Sequence, residues 1–107
     1  MIDKIKTLED SFQWLDSLGA KDSKDWLDLN EDEAMAVAHH GFGTMVRNTL
    51  GLWHDGSMVP FFNELGITHA DDMSGIILTS YHRKKNNKDI DLDGQVKKYL
   101  DFWEKNK

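Results

Sequence analysis

Apolar residues recur at helical spacing along most of the chain, in several separate stripes. The stripes are Leu8, Phe12 and Leu15; Met35, Ala38, Phe42, Met45, Val46, Thr49 and Leu50; Phe61, Phe62 and Leu65; Met73, Ile76, Ile77 and Tyr81; and Val96, Tyr99, Leu100 and Trp103. Glycine or polar residues separate each stripe from the next. The pattern therefore predicts an all-α fold of five or six short helices packed as one domain over residues 1–107.

Capping signals mark where several of these helices begin. Thr7 with Asp10, and Asn30 with Glu33, have the spacing of a capping box. The segment 70–86 starts with aspartates and ends with basic residues, as the helix dipole favours. We expect a helix there, although the short apolar run inside it also fits a strand.

Two glycines interrupt the helix predicted from about residue 31 to residue 50. Gly41 and Gly43 lie inside its apolar stripe, and each glycine in a helix interior costs about 1 kcal/mol. They indicate either the close approach of another backbone or a break near residue 41.

Charge divides the 107 residues into two parts. Residues 1–33 hold ten acids and four lysines, and therefore carry the whole net charge of −6. Residues 34–107 hold nine acids and nine bases, which cancel. We interpret residues 1–33 as an acidic N-terminal helical segment and residues 34–107 as a charge-balanced helical core.

Composition disfavours several classes of protein. The chain has no cysteine and hence neither disulfides nor thiolate metal sites. No apolar run is long enough to cross a membrane, and no signal peptide opens the sequence. The acidic charge disfavours direct binding of nucleic acid. We expect a cytoplasmic protein whose partner is another protein.

No catalytic motif is present, so an enzyme is the less favoured interpretation. The serines show neither a nucleophile elbow nor a histidine at a useful spacing, and no glycine pattern for a nucleotide cofactor occurs. The five histidines lack the i, i+4 spacing typical of helical metal ligands. We predict no cofactor and no metal, with a minimal metal-dependent hydrolase built on His69 and Asp72 as a third hypothesis.

Polar residues inside the apolar helices suggest one candidate site. Arg47 interrupts an apolar stripe, and pairing with Asp71 or Asp72 would give it a structural role as a partly buried salt bridge. The functional alternative is a pocket for a small anionic or nucleotide-like ligand. Its candidate residues are His40, Arg47, His69, Asp72, His82 and Arg83.

Tryptophans in the acidic segment suggest a second candidate site. Trp14 lies off its helix stripe and Trp26 lies among acids, whereas Trp53 and Trp103 fit core stripes. An exposed tryptophan among acids is typical of a protein-binding surface; alternatively, both cover the edge of the core. The candidate partner-binding residues are Trp14, Asp25, Trp26, Asp28, Glu31 and Asp32.

A set of motifs between about residues 40 and 103 resembles an uncharacterised domain family of bacterial and phage hypothetical proteins. The motifs are His40-Gly41-Phe42-Gly43, Val46-Arg47-Asn48, Leu50-Gly51-Leu52-Trp53, Leu65-Gly66-Ile67, His69-Ala70-Asp71-Asp72-Met73-Ser74 and Ile76-Ile77-Leu78-Thr79-Ser80-Tyr81-His82-Arg83, followed by Tyr99 and Trp103. The resemblance implies that residues 1–33 are a variable attachment. It also implies a source in which small proteins often act by binding other proteins.

The leading hypothesis from the sequence is a soluble, non-enzymatic interaction protein, encoded by a phage and binding a host protein through its acidic, tryptophan-bearing segment. The alternative is a binding domain for a small anionic ligand.

Overall fold

The computed structural model describes residues 4–106 and contains seven α-helices. They are α1 (Leu8–Ser17), α2 (Lys24–Leu27), α3 (Glu31–Ala38), α4 (Phe42–Thr49), α5 (Val59–Glu64), α6 (Ala70–Lys85) and α7 (Leu92–Lys105). A 3₁₀ turn at Ala20–Asp22 joins α1 to α2. The all-α prediction is confirmed for these residues, but the count of five or six helices is too low.

The extra helix arises because the predicted helix 31–50 is broken in two. Helix α3 ends at Ala38, and α4 starts after Gly41, whose φ of −103° and ψ of −91° lie outside the helical region. A break near residue 41 was one of the two expectations raised by the glycines, and it is confirmed.

Helix α6 is the centre of the fold. It packs against α1, α3, α4 and α7, and nine of its sixteen residues are buried. Its charge order is as predicted, with Asp71 and Asp72 in the first turn and basic residues in the last. The helical interpretation of 70–86 is confirmed. The apolar run that also fitted a strand is explained by burial, because a helix surrounded by other helices is apolar on most of its faces.

Capping at the other helix starts follows the sequence signals. Thr7 and Asp10 form a reciprocal capping box at α1. The side chain of Asn30 accepts a hydrogen bond from the backbone N–H of Glu33 at α3. The side chain of Asp91 accepts one from Gly94 at α7. These contacts satisfy amide groups that a helix N-terminus leaves without partners.

Residues 4–33 of the acidic segment contribute to the shared core rather than lying beside it. Phe12, Leu15 and Trp26 belong to the same cluster of buried apolar residues as Ile76 and Ile77 of α6. Most of the described acids of this segment are exposed, so its charge does not keep it out of the core.

Two tryptophans lie elsewhere than their stripes predicted. Trp53 is 55% exposed and Trp103 is 39% exposed, so both core assignments are wrong. Trp26 is only 7% exposed and its indole N–H donates to the backbone oxygen of Ala34. For Trp26 the alternative of a core-edge residue is therefore the correct one.

Candidate functional site

Arg47 is the most buried charged side chain of the described residues, at 6% exposure. It projects from α4, and its Nη1 donates to the hydroxyl of Ser74 on α6 at 3.0 Å. Its Nη2 donates to the backbone oxygen of His39 at 3.0 Å and to the hydroxyl of Thr44 at 3.1 Å. The guanidinium therefore ties α4 both to α6 and to the turn after α3.

The remaining donor of Arg47 has a poorer partner. Its Nε lies 3.3 Å from the nearer carboxylate oxygen of Asp71, which is within ion-pair distance. The two atoms do not meet hydrogen-bond geometry, and Nε is buried without any other acceptor. The predicted pairing of Arg47 with Asp71 is confirmed as an ion pair. It leaves one buried N–H without a hydrogen bond.

Two helical glycines make room for polar groups at this place. A Cβ on Gly43 would lie 2.9 Å from Nη1 of Arg47, and a Cβ on Gly75 would lie 2.6 Å from the hydroxyl oxygen of Tyr99. Because both separations are shorter than ordinary contact, any larger residue would displace the polar group. The groups that approach Gly43 are the guanidinium of Arg47 and, also at 2.9 Å from such a Cβ, the backbone oxygen of Ala38.

A cavity of about 250 Å³ adjoins Arg47 between α3, α4, α6 and α7. We call it the Arg47 cavity. Its lining residues are Met35, Ala38, His39, Gly43, Arg47, Asp71, Asp72, Ser74, Gly75, Leu78, Thr79 and Tyr99. Apolar side chains from α3 and α6 form one part of the wall, and hydroxyl and charged groups form the other.

Asp72 and Tyr99 give the Arg47 cavity its polar groups from α6 and α7. One carboxylate oxygen of Asp72 accepts a hydrogen bond of 2.7 Å from the indole N–H of Trp103. Burial, and then the nearby carboxylate of Asp72, raise the pKa of Tyr99. The hydroxyl of Tyr99 is therefore protonated across the physiological range and acts as a neutral hydrogen-bonding group.

The six predicted ligand-binding residues do not share one cavity. Arg47 and Asp72 line the Arg47 cavity, whereas Arg83 lines a neighbouring cleft between α3 and α7. Neither space is lined by His40, His69 or His82.

The side chain of Arg83 is held by strong partners. It donates from Nε and Nη2 to the two carboxylate oxygens of Glu31, at 2.6 and 3.0 Å, and from Nη1 to the backbone oxygen of Ile90. The hydrogen bonds from Arg83 lower the pKa of Glu31, and those to Glu31 raise the pKa of Arg83. This pair fastens the start of α3 to the end of α6.

The three predicted histidines lie in different surroundings. His82 is buried, its ring is edge-on to Trp26, and its Nε2 has no hydrogen bond. His69 stacks on the indole of Trp103, with ring centres 3.9 Å apart. His40 is exposed and contacts the ring of His39.

A second depression, which we call the acidic groove, lies between α2 and the α3–α4 turn. Its volume is about 550 Å³. Trp26, Val37, Ala38 and Phe42 supply apolar lining, and Asp22, Ser23, Lys24, Asp25 and Gly41 supply the rest. Val37 is 64% exposed although it is aliphatic. Of the six predicted partner-binding residues, only Asp25 and Trp26 line this groove.

The other four predicted partner-binding residues lie on different parts of the surface. Trp14 is half-buried and lines a shallow apolar groove with Ile5 and Leu18. Asp28 is exposed, Asp32 lines the cleft beside α7, and Glu31 is occupied by its ion pair with Arg83. Their part in binding stays a prediction.

Within residues 4–106, no set of three metal-ligating side chains is close enough to hold an ion. His69 and Asp72, the residues of the metal hypothesis, both contact Trp103. Over the same part of the chain, no helix has the length and apolar character needed to cross a bilayer.

Sequence reasoning missed three residues that shape these sites. Tyr99 was assigned to a core stripe, and Val37 and Thr79 were given no role. Gly75 offered a signal for Tyr99, because a glycine within an apolar helix indicates the close approach of another group. No local signal distinguished Val37, whose exposure depends on how α2 packs against α3.

The chain belongs to the family described as "Domain of unknown function (DUF6794)", which matches residues 6–85. No curated protein and no solved structure matches this chain. The predicted membership in an uncharacterised family is confirmed, but its limits of about 40 to 103 were wrong. The match includes the acidic segment and stops before α7, so residues 6–33 belong to the family domain and are not a variable attachment. The physical reason for including these residues in the domain is that α1 and α2 contribute buried side chains to its core.

Proposed function

We propose that the protein is a non-enzymatic interaction module that binds another protein through the acidic groove. The partner contributes a segment with at least one apolar side chain and neighbouring positive charges. The exposed Val37 carries this proposal, because it places an uncovered aliphatic side chain beside Trp26 and Phe42 in a depression rimmed by carboxylates.

The carboxylates around the groove support a basic partner. Asp22 and Asp25, which line the groove together with Lys24, form no ion pair within residues 4–106. Residues 21–33 hold six acids and two lysines, a formal charge of −4. Charges of one sign around an apolar patch accelerate association with an oppositely charged partner and select against similarly charged ones.

The remaining parts of the proposal concern the setting. The resemblance to phage and bacterial hypothetical proteins supports a phage-encoded protein that acts on a host protein in the host cytoplasm. Direct binding of nucleic acid is disfavoured by the same negative surface, because phosphate repels carboxylate.

A pair of charge reversals in the groove tests the proposal. The variant Asp22→Lys with Asp25→Lys is compared with a control in which two exposed aspartates outside the groove are reversed, Asp55→Lys with Asp93→Lys. Both double variants change the net charge equally. Proteins cross-linked or captured from host lysate by the wild type are identified, and the affinity of the purified partner is then measured for all three chains.

We expect the groove variant to lose the partner and the control variant to keep it. We also expect Val37→Gln to weaken binding without changing net charge. If the groove variant binds as well as the control, the partner uses another face. If no partner is captured by the wild type, the interaction function itself is wrong.

A further inference from the structure

The Arg47 cavity combines a buried cation with a displaceable carboxylate. Nε of Arg47 is buried and makes no hydrogen bond. A buried donor left in that state destabilises the fold. The nearest acceptor, Asp71, has a side chain that is 57% exposed and approaches only to 3.3 Å. A carboxylate with better geometry would therefore replace Asp71 at little cost, since Asp71 would turn into water.

After that exchange the cavity keeps one cation, the partly covered carboxylate of Asp72, and the more exposed carboxylate of Asp71 turned toward water. Arg47 is that cation. The only hydrogen bond of Asp72 within residues 4–106 is from the neutral indole of Trp103. An occupant that carries a carboxylate and a cation at opposite ends would match both Arg47 and Asp72. A simple anion would leave Asp72 unpaired and would be repelled by it.

Uncharged hydrogen-bonding groups lie in the same wall. The hydroxyls of Thr79 and Tyr99 line the cavity, and among the described residues neither has a hydrogen-bond partner. Met35 and Leu78 supply apolar surface to the same cavity. The volume of about 250 Å³ corresponds to roughly eight waters. It suits a small molecule and is small for a nucleotide.

We propose that the Arg47 cavity binds a free α-amino acid as its zwitterion. The ligand carboxylate displaces Asp71 and accepts a hydrogen bond from Nε of Arg47. The ligand ammonium donates to Asp72 and to the hydroxyl of Tyr99 or Thr79, and its side chain packs against Met35 and Leu78. The cavity and the acidic groove share Ala38, but Arg47, Asp72 and Tyr99 do not line the groove, so this proposal does not rest on the proposed protein partner.

Binding is measured by isothermal titration calorimetry of the full chain against the twenty L-amino acids at millimolar concentration. Each amino acid that binds is then compared with its N-acetyl derivative, which lacks the ammonium, and its amide, which lacks the carboxylate. We expect both derivatives to bind at least about tenfold more weakly, because each loses one charge-assisted pair. Equal binding of an amide would point to a simple amine, and equal binding of an N-acetyl derivative to a simple anion or a peptide C-terminus. Either result would overturn the zwitterion assignment.

Three variants test the residues. We expect Asp72→Asn and Tyr99→Phe to weaken binding, the first by about tenfold or more, and the exposed control Asp93→Asn to leave it unchanged. Asp71→Asn should instead tighten binding several-fold, because the internal competitor for Arg47 loses its charge. A merely structural role for Asp71 would not produce tighter binding. The proposal fails if no amino acid binds, or if Asp72→Asn binds like the control.

Discussion

The Arg47 cavity and the acidic groove both contain aspartates, but the cavity has a buried, paired charge and the groove has exposed, unpaired ones within the described residues. At the cavity, Arg47 is buried and its charge is met by Ser74, Thr44, a backbone oxygen and Asp71. At the groove, Asp22 and Asp25 are exposed and form no ion pair within the described residues. A buried charge without a partner lowers the stability of the fold, whereas an exposed charge is solvated by water and has little effect on stability.

The contrast separates stability from binding. Charges at the cavity hold helices together, so changing them alters the free energy of unfolding. Charges at the groove are exposed and form no ion pair within the described residues, so changing them should alter the free energy of unfolding only slightly.

Replacing Arg47 by methionine has the largest expected effect. The variant keeps much of the side-chain volume but removes the hydrogen bonds to Ser74, Thr44 and the backbone of His39. We expect the free energy of unfolding to fall by about 3 kcal/mol, measured by urea denaturation. The control Lys97→Met removes an exposed ion pair with Asp101 and should cost less than about 0.5 kcal/mol. Equal losses in the two variants would contradict a structural role for the buried network.

Replacing Glu31 by glutamine tests the half-buried pair with Arg83. We expect a loss of about 1.5 kcal/mol at pH 7, after allowing for the partial exposure of both side chains. Arg83 lowers the pKa of Glu31 from its ordinary value of 4.5. The stabilisation is therefore fully present above pH 4.5 and is lost as the pH falls through the lower folded-state pKa. Urea titrations of both proteins between pH 7 and pH 3 should converge at the acid end. A difference that stays constant with pH would show that the carboxylate charge is not responsible.

Replacing Gly75 by alanine tests the approach of Tyr99 to α6. Alanine in a helix interior normally stabilises it by about 1 kcal/mol relative to glycine. Here the added Cβ would lie 2.6 Å from the Tyr99 hydroxyl, and we expect a loss of about 1 kcal/mol instead. In the Tyr99→Phe background the clash is absent, so Gly75→Ala should then be stabilising. Thermal unfolding of the four proteins of this cycle measures the coupling. The same sign in both backgrounds would show that the hydroxyl does not occupy this position.

Replacing Asp25 by asparagine has the smallest expected effect on stability. The side chain is exposed and without an ion pair in residues 4–106, so the free energy of unfolding should change by less than about 0.5 kcal/mol. Urea denaturation checks this. A larger loss would mean that the groove charges support the fold, and the distinction between the two regions would disappear.

Local chemistry accounts for the parts of the fold that were predicted correctly. The caps at Thr7 and Asn30 and the charge order of α6 depend on neighbours three or four residues away. The break between α3 and α4 could also be predicted from the sequence, because glycine weakens a helix wherever it occurs.

The candidate sites were predictable only in part, because they depend on contacts between distant segments. The pairing of Arg47 with Asp71 was expected from a charge in an apolar stripe, but its contact with Ser74 joins residues 27 positions apart. Arg83 was assigned to a ligand pocket and instead pairs with Glu31, 52 positions away. No pattern within one helix decides between such partners.

The sequence by itself determined the helical class, most helix ends, the excess of acid in residues 1–33 and the need of Arg47 for a partner. These follow from periodicity, capping and the cost of burying charge, which act over a few residues or on any fold. Tertiary structure alone decided that Trp26 is covered while Trp53, Trp103 and Val37 are exposed. It also brought Tyr99 against Gly75 beside Arg47. Which side chains share a cavity depends on the angles and positions at which helices pack, and those are fixed by the whole core at once.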